Sequence, residues 1–148
     1  MNIIEVNKRT QDLIQQLLMV WEKSVRETHL FLTDAEIKNI KNYVPEALNG
    51  VAHLIIANDT EGHPVAFMGI EHDALEMLFI VPAQRGKGLG KDLLRLGIEK
   101  YGVKRLTVNE QNPQAKGFYE HLGFHVYKRT DHDEQGNTYP ILYMRLER

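Results

Sequence analysis

The 148 residues contain no cysteine. No disulfide, thiol nucleophile or thiolate metal ligand is therefore open to this chain. No apolar run reaches the roughly 20 residues a helix needs to cross a bilayer. No charge dominates: 18 Lys and Arg stand against 20 Asp and Glu, a formal net charge of −2. The basic footprint of a nucleic-acid binder is missing. The start, Met1-Asn2-Ile3-Ile4-Glu5, lacks the pattern of a signal peptide. The seven histidines are scattered. Only His121 and His125 are close, and Gly123 between them breaks a shared helix face, so no metal site is expected. These absences lead to the expectation of a cytoplasmic protein with no nucleic-acid or membrane partner. What remains is 43% hydrophobic residues, enough for one core, and residues 1–148 are read as one domain.

The most informative stretch runs from Leu75 to Leu94. Leu75-Glu76-Met77-Leu78-Phe79-Ile80-Val81 is apolar and ends at Pro82, the pattern of a buried strand. Glycines follow at 86, 88 and 90, interleaved with Arg85 and Lys87. Leu89, Leu93, Leu94 and Ile98 then recur at helical spacing. A helix N-terminus has unpaired N–H groups and a partial positive charge. Glycines let an anion approach the backbone, and Arg85, Lys87 and Lys91 add whole charges. The turn therefore reads as a phosphate or pyrophosphate cradle, against the plainer reading of a solvated strand-to-helix turn.

Three phosphate-binding patterns compete for this loop. A Walker loop needs Ser or Thr after Gly-Lys, but Gly86-Lys87 is followed by Gly88. A dinucleotide fingerprint needs glycine where Lys91 stands. Arg85-Gly86-Lys87-Gly88-Leu89-Gly90 satisfies the third pattern, Arg/Gln-x-x-Gly-x-Gly/Ala. It resembles the coenzyme A pyrophosphate loop of the GCN5-related N-acetyltransferase (GNAT) superfamily.

The rest of the chain follows an alternating pattern. Asn2–Val6 is a short strand. Thr10 caps a helix running to about Glu27, with Leu13, Leu17, Trp21 and Val25 on one face. Thr33 or Asp34 starts a second helix, with Glu36 in a capping box, that ends near Gly50 and is kinked or shortened by Pro45. Strands are expected at 51–58 and 64–71, then the Leu75 strand and its helix to about Tyr101. A strand at 104–108, a helix at 113–122 and strands at 124–130 and 141–146 complete the chain. The fold class is α/β with a mixed sheet, in the order β-α-α-β-β-β-α-β-α-β-β and with helices on both faces.

A second motif supports the first. Asn112-Pro113-Gln114-Ala115-Lys116-Gly117-Phe118-Tyr119-Glu120-His121-Leu122-Gly123-Phe124 resembles the Asn-x-x-Ala-x-x-Phe-Tyr-x-x-x-Gly-Phe signature of the same superfamily. Ser24-Val25-Arg26-Glu27-Thr28-His29-Leu30-Phe31-Leu32 resembles a stretch of its YjaB-like bacterial subgroup. The resemblance implies a mostly antiparallel sheet splayed between its fourth and fifth strands. It implies acetyl-CoA as co-substrate, with pantetheine along Leu78, Phe79 and Ile80 and pyrophosphate on Arg85, Gly86, Lys87, Gly88, Leu89, Gly90 and Lys91. By the same resemblance Asn112 lies near the pantetheine arm and Tyr119 near the thioester sulfur.

The activity so implied is acetyl transfer to a primary amine of a small molecule or peptide, by direct attack in a ternary complex. Tyr119 would protonate the departing thiolate; its plainer reading is a half-buried helix aromatic. Some superfamily members carry a Glu on the fifth strand where this chain has Thr107, which cannot be a base. Glu76 is the catalytic carboxylate carried forward, with Glu71 behind it; each reads equally as a solvated strand residue. His29 and His72 carry imidazoles, a side chain that can serve as a base, but nothing further in the sequence supports either in that role. Trp21, Arg26, His29 and Phe31 are expected around the acceptor, although Arg26 and His29 read equally as helix-end residues. A homodimer through exposed strand edges is left open. The competing readings are a non-catalytic acyl-CoA-binding or sensing module and a nucleotide-binding loop.

Overall fold

The computed structural model describes residues 1–147. The chain runs β1 (Asn2–Glu5), α1 (Gln11–Thr28), α2 (Asp34–Lys41), α3 (Val44–Gly50), β2 (His53–Asn58), β3 (Pro64–Glu71) and β4 (Ala74–Ile80). A 3₁₀ turn (Pro82–Gln84) leads to α4 (Leu89–Tyr101), β5 (Arg105–Asn109), α5 (Pro113–His121), β6 (Phe124–Thr130) and β7 (Ile141–Leu146).

The helix starts follow local chemistry. The Thr10 side chain accepts from the Leu13 N–H at 3.1 Å and so caps α1. At α2 the Thr33 hydroxyl accepts from the Glu36 N–H, and the Glu36 carboxylate accepts from the Thr33 N–H at 2.9 Å.

One expectation needs correction. The sequence pattern predicts a single helix from Thr33 to Gly50, whereas α2 ends at Lys41 and α3 begins at Val44. Pro45 has no N–H to continue the ladder, and its ring would strike the Lys41 carbonyl. In the first turn of α3 the missing N–H has no such consequence.

The seven strands form one sheet in the order β1-β2-β3-β4-β5-β7-β6. Every neighbouring pair is antiparallel except β4 and β5. One face packs on α4 and α5 through Met68, Ile70, Leu93, Leu94, Phe124 and Met144, all fully buried. The other packs on the three N-terminal helices through Leu17, Trp21, Val25, Leu48, Leu54 and Phe67.

The parallel pair positions the site. β4 and β5 are in register only at Ala74↔Arg105 and Leu75↔Leu106. Between β3 and β4 the register shifts after Gly69↔Met77 to Ile70↔Leu75, leaving Glu76 as the extra residue of a bulge. A bulge bends its strand and increases local twist. β4 leaves β5 at this point, and the sheet opens into a wedge.

Candidate active site

Beyond Leu75, the β5-facing edge of β4 has no strand partner among the described residues. Val81 N–H donates to the Val65 carbonyl at 2.9 Å. Residues of an antiparallel strand face their partner alternately. With this register, Phe79 and Met77 turn their backbone groups to β3, and Leu78 and Ile80 turn theirs into the wedge. Of the three residues that the resemblance puts along the pantetheine, Phe79 is the exception: its backbone groups face β3, although it is among the residues that line the opening. The opening is a cleft of about 440 Å³ between this edge, the glycine loop and α5.

The loop is shaped by its glycines. Gly86 and Gly88 have φ of +74° and +83°, the left-handed region that other residues adopt at a cost. Gly90 is required for another reason: a Cβ there would sit 3.1 Å from Ile80 Cδ1 and 3.3 Å from Phe118 Cζ. Gly88 caps α4 without a side-chain acceptor, and the first helical bond is from Asp92 N–H to the Gly88 carbonyl. The Leu89, Gly90 and Lys91 amides at the start of α4 therefore have no intrahelical acceptor, an arrangement suited to an anion. Arg85 and Lys91 also line the cleft, whereas Lys87 does not. Arg85 Nη2 donates to Ser24 Oγ at 3.1 Å, tying the loop to α1.

Tyr119 enters the cleft from α5. Its ring is held edge-on between Phe118 and Phe124, with centroids 5.2 and 6.1 Å away. Its hydroxyl has no protein hydrogen-bond partner among the described residues. Loss of water around it raises its pKa, so the phenol keeps its proton. Asn112 starts the same helix: its Oδ1 accepts from the Ala115 N–H at 3.2 Å. Asn112 is thus both a cap and part of the cleft wall.

A second cavity of about 240 Å³ opens on the α1 side of the sheet. Trp21, Phe31 and His29, three of the residues that the sequence reading puts around an acceptor, line it. Trp21 is only 5% exposed and serves as wall. Arg26 is not there: its guanidinium binds Glu22 Oε2 and Asp34 Oδ1, each at 2.8 Å, and clips α1 to α2. Glu76 is also apart. The bulge turns it to a separate hollow of about 60 Å³, shared with Thr107, Glu134 and Tyr143. Partial desolvation and then Glu134 raise its pKa, opposed by Arg105. Glu71 accepts from the Ala52 N–H at 2.9 Å at the far end of β3.

Sequence reasoning assigned no part of the site to the 131–140 connection between the last two strands. Asp133, Asn137 and Tyr139 from it close the second cavity. The Tyr139 hydroxyl donates to Glu36 of the capping box, and its ring lies edge-on to Phe31 at 6.1 Å. The signal within that polar stretch is its one aromatic, Tyr139, placed just before Pro140. Among the described residues no His, Asp and Glu cluster is arranged to hold a metal, and no helix is long and apolar enough to cross a membrane.

Known proteins share this arrangement. Residues 22–147 match the family described as an acetyltransferase (GNAT) domain. The peptidyl-lysine N-acetyltransferase YjaB of Salmonella typhimurium is 34% identical over 140 residues, covering 95% of this chain and 96% of that protein. The Escherichia coli K12 protein of the same name is 33% identical over 145 residues, with 95% of each covered. The solution structure of apo YjaB from Escherichia coli superposes with a TM-score of 0.86 at 32% identity, covering 98% and 97% of the two chains. A Thermoplasma acidophilum PaiA N-acetyltransferase in complex with coenzyme A shares the fold, with a TM-score of 0.66 at 21% identity and 98% and 99% coverage. With a splayed β4–β5 pair, a glycine loop at the start of α4, and relatives matched over 95% of its length, this chain belongs to the GNAT family of acetyltransferases.

Proposed function

We propose that this protein transfers the acetyl group of acetyl-CoA to the side-chain amine of a lysine, in a peptide or a small molecule, by direct attack in a ternary complex. One observation carries the reading: the cleft and the second cavity share two wall residues, Phe79 of β4 and His29 after α1. In this reading the pantetheine amides pair with the free backbone groups of Leu78 and Ile80, as an added strand does. The pyrophosphate rests on the Leu89, Gly90 and Lys91 amides, beside Arg85 and Lys91. The lysine stem lies against Phe31 and Tyr139, and Asp133 draws its ammonium. The names of the two YjaB relatives support that acceptor class.

An amine must be neutral to attack, and lysine ordinarily titrates near about 10.4. Attack on the acetyl carbonyl forms an oxyanion, which a free N–H of β4 stabilises. The Tyr119 hydroxyl then protonates the departing sulfur. Glu76 opens on a different hollow, so any part it takes as base runs through water.

Calorimetric titration with acetyl-CoA and a coupled assay with lysine peptides test this. Wild type and Gly88→Asn, which tolerates a positive φ, bind acetyl-CoA; Gly88→Glu does not. Tyr119→Phe binds acetyl-CoA as wild type does and turns over about 10²–10⁴-fold more slowly. No binding by folded wild type sinks the proposal. Binding without transfer to any amine turns it into the acyl-CoA-binding or sensing module.

A further inference from the structure

His29 holds a position that no other ionisable side chain among the described residues shares. It lines both the cleft and the second cavity. The only other described residue common to the two walls is Phe79, which cannot accept a proton. His29 follows the last turn of α1, where its N–H donates to the Val25 carbonyl at 2.8 Å, and its ring packs 5.5 Å from Phe31. The backbone and the ring are thus both held.

The hydrogen bonds decide which ring nitrogen is free. The Thr28 hydroxyl donates its single proton to the Ser24 carbonyl at 2.9 Å. The same oxygen lies 2.8 Å from His29 Nδ1. With its proton already committed, Thr28 Oγ1 accepts, and Nδ1 is the donor. A neutral imidazole protonated at Nδ1 carries its free lone pair on Nε2.

We infer that His29 is the general base of acetyl transfer, taking the amine's proton on Nε2 where the cavity opens into the cleft, with Thr28 as the positioning residue that sets its tautomer. The inference rests on the acetyltransferase reading above. The atoms balance as follows. The lysine ammonium first releases one proton to solvent; the neutral nitrogen then bonds to the acetyl carbon and the thioester C–S bond breaks. The nitrogen's proton passes to His29 Nε2, and the thiolate takes the Tyr119 proton. His29 then returns a proton, through water, to the Tyr119 oxygen. The sum is an amide and free coenzyme A.

The other ionisable side chains that line the two hollows come from four places, and Lys91 of α4 is one of them. Arg85 comes from the glycine loop, Asp133 and Tyr139 from the 131–140 connection, and Tyr119 from α5. Burial first and the Arg85 charge second hold the imidazole below its ordinary 6.5. The ring is therefore neutral and able to accept a proton near pH 7.

Two measurements test the assignment. Nitrogen-15 NMR of the wild-type imidazoles at pH 7 is expected to find His29 protonated on Nδ1 alone. A proton on Nε2 instead overturns the proposal. Acetyl transfer to a lysine peptide is then followed across pH. His29→Asn keeps a donor for Thr28 Oγ1 but has no base. It is expected to bind acetyl-CoA as wild type does, to lose about 10²-fold in kcat, and to lose the low-pH limb of the profile. Added imidazole partly restores His29→Ala, and Thr28→Val lowers kcat by less than His29→Asn does. Wild-type kcat and an intact limb in His29→Asn, or loss of that limb in Glu76→Gln instead, overturn the base alone. A wild type that binds acetyl-CoA yet acetylates no amine overturns the acetyltransferase reading and the base with it.

Discussion

Tyr119 reaches the cleft because Asn112 starts the helix beneath it. A side-chain cap of this kind contributes about 1 kcal/mol. Asn112→Ala is therefore expected to destabilise the protein by that amount in thermal unfolding, whereas Asn112→Asp, which keeps the acceptor, is not. Asn112 and Tyr119 stood out in the sequence through the spacing of the Asn112–Phe124 motif, whereas the capping role of Asn112 came from the structure. The proton acceptor was not legible. Glu76 looked suitable as a carboxylate on the right strand, but a one-residue bulge sends it to another hollow. His29 became meaningful only once Thr28 and Ser24 fixed its tautomer and α1 was docked on the glycine loop.

At the scale of elements, strand and helix boundaries largely follow sequence period and caps. β3, β6 and β7 lie where alternation and turn residues put them. α2 shows how little a short helix depends on burial: Ile37 is its one fully buried residue, and its first turn is held by Thr33 and Glu36. Thr33→Ala is expected to lower stability by about 1 kcal/mol. This would appear as a lower urea midpoint at unchanged slope, because the exposed surface is the same. Glu36 also receives the Tyr139 hydroxyl, so the box that starts α2 anchors the 131–140 connection. A capping box is visible in sequence; its second partner, 103 residues away, is not.

For the whole molecule, acid should loosen the fold at two places, with the same sign. His29 binds a proton less readily folded than unfolded, so stability rises with pH through the window just below 6.5 and falls on acidification. Glu5 joins β1 to β2 and α4, accepting from Tyr101 at 2.6 Å and pairing with His53 at 2.9 Å. The Tyr101 hydroxyl first and His53 second hold its carboxyl below 4.5. Its contribution is complete above 4.5 and is lost as pH falls through the folded value. Urea midpoints measured from pH 7 to 4 are expected to fall, and His29→Asn to flatten the upper part of that decline. A flat wild-type curve would contradict the burial of His29. The sequence by itself determined the order of elements apart from the break between α2 and α3, the glycine loop with its helix start, and the family, because periodicity, caps and turns depend on residues close along the chain. The tertiary structure alone decided where β4 parts from β5, which backbone groups face the opening, and which of the carboxylates and histidines stands between the two hollows. Those depend on strand register and on contacts such as Ser24 to Arg85, 61 residues apart, which no local pattern encodes.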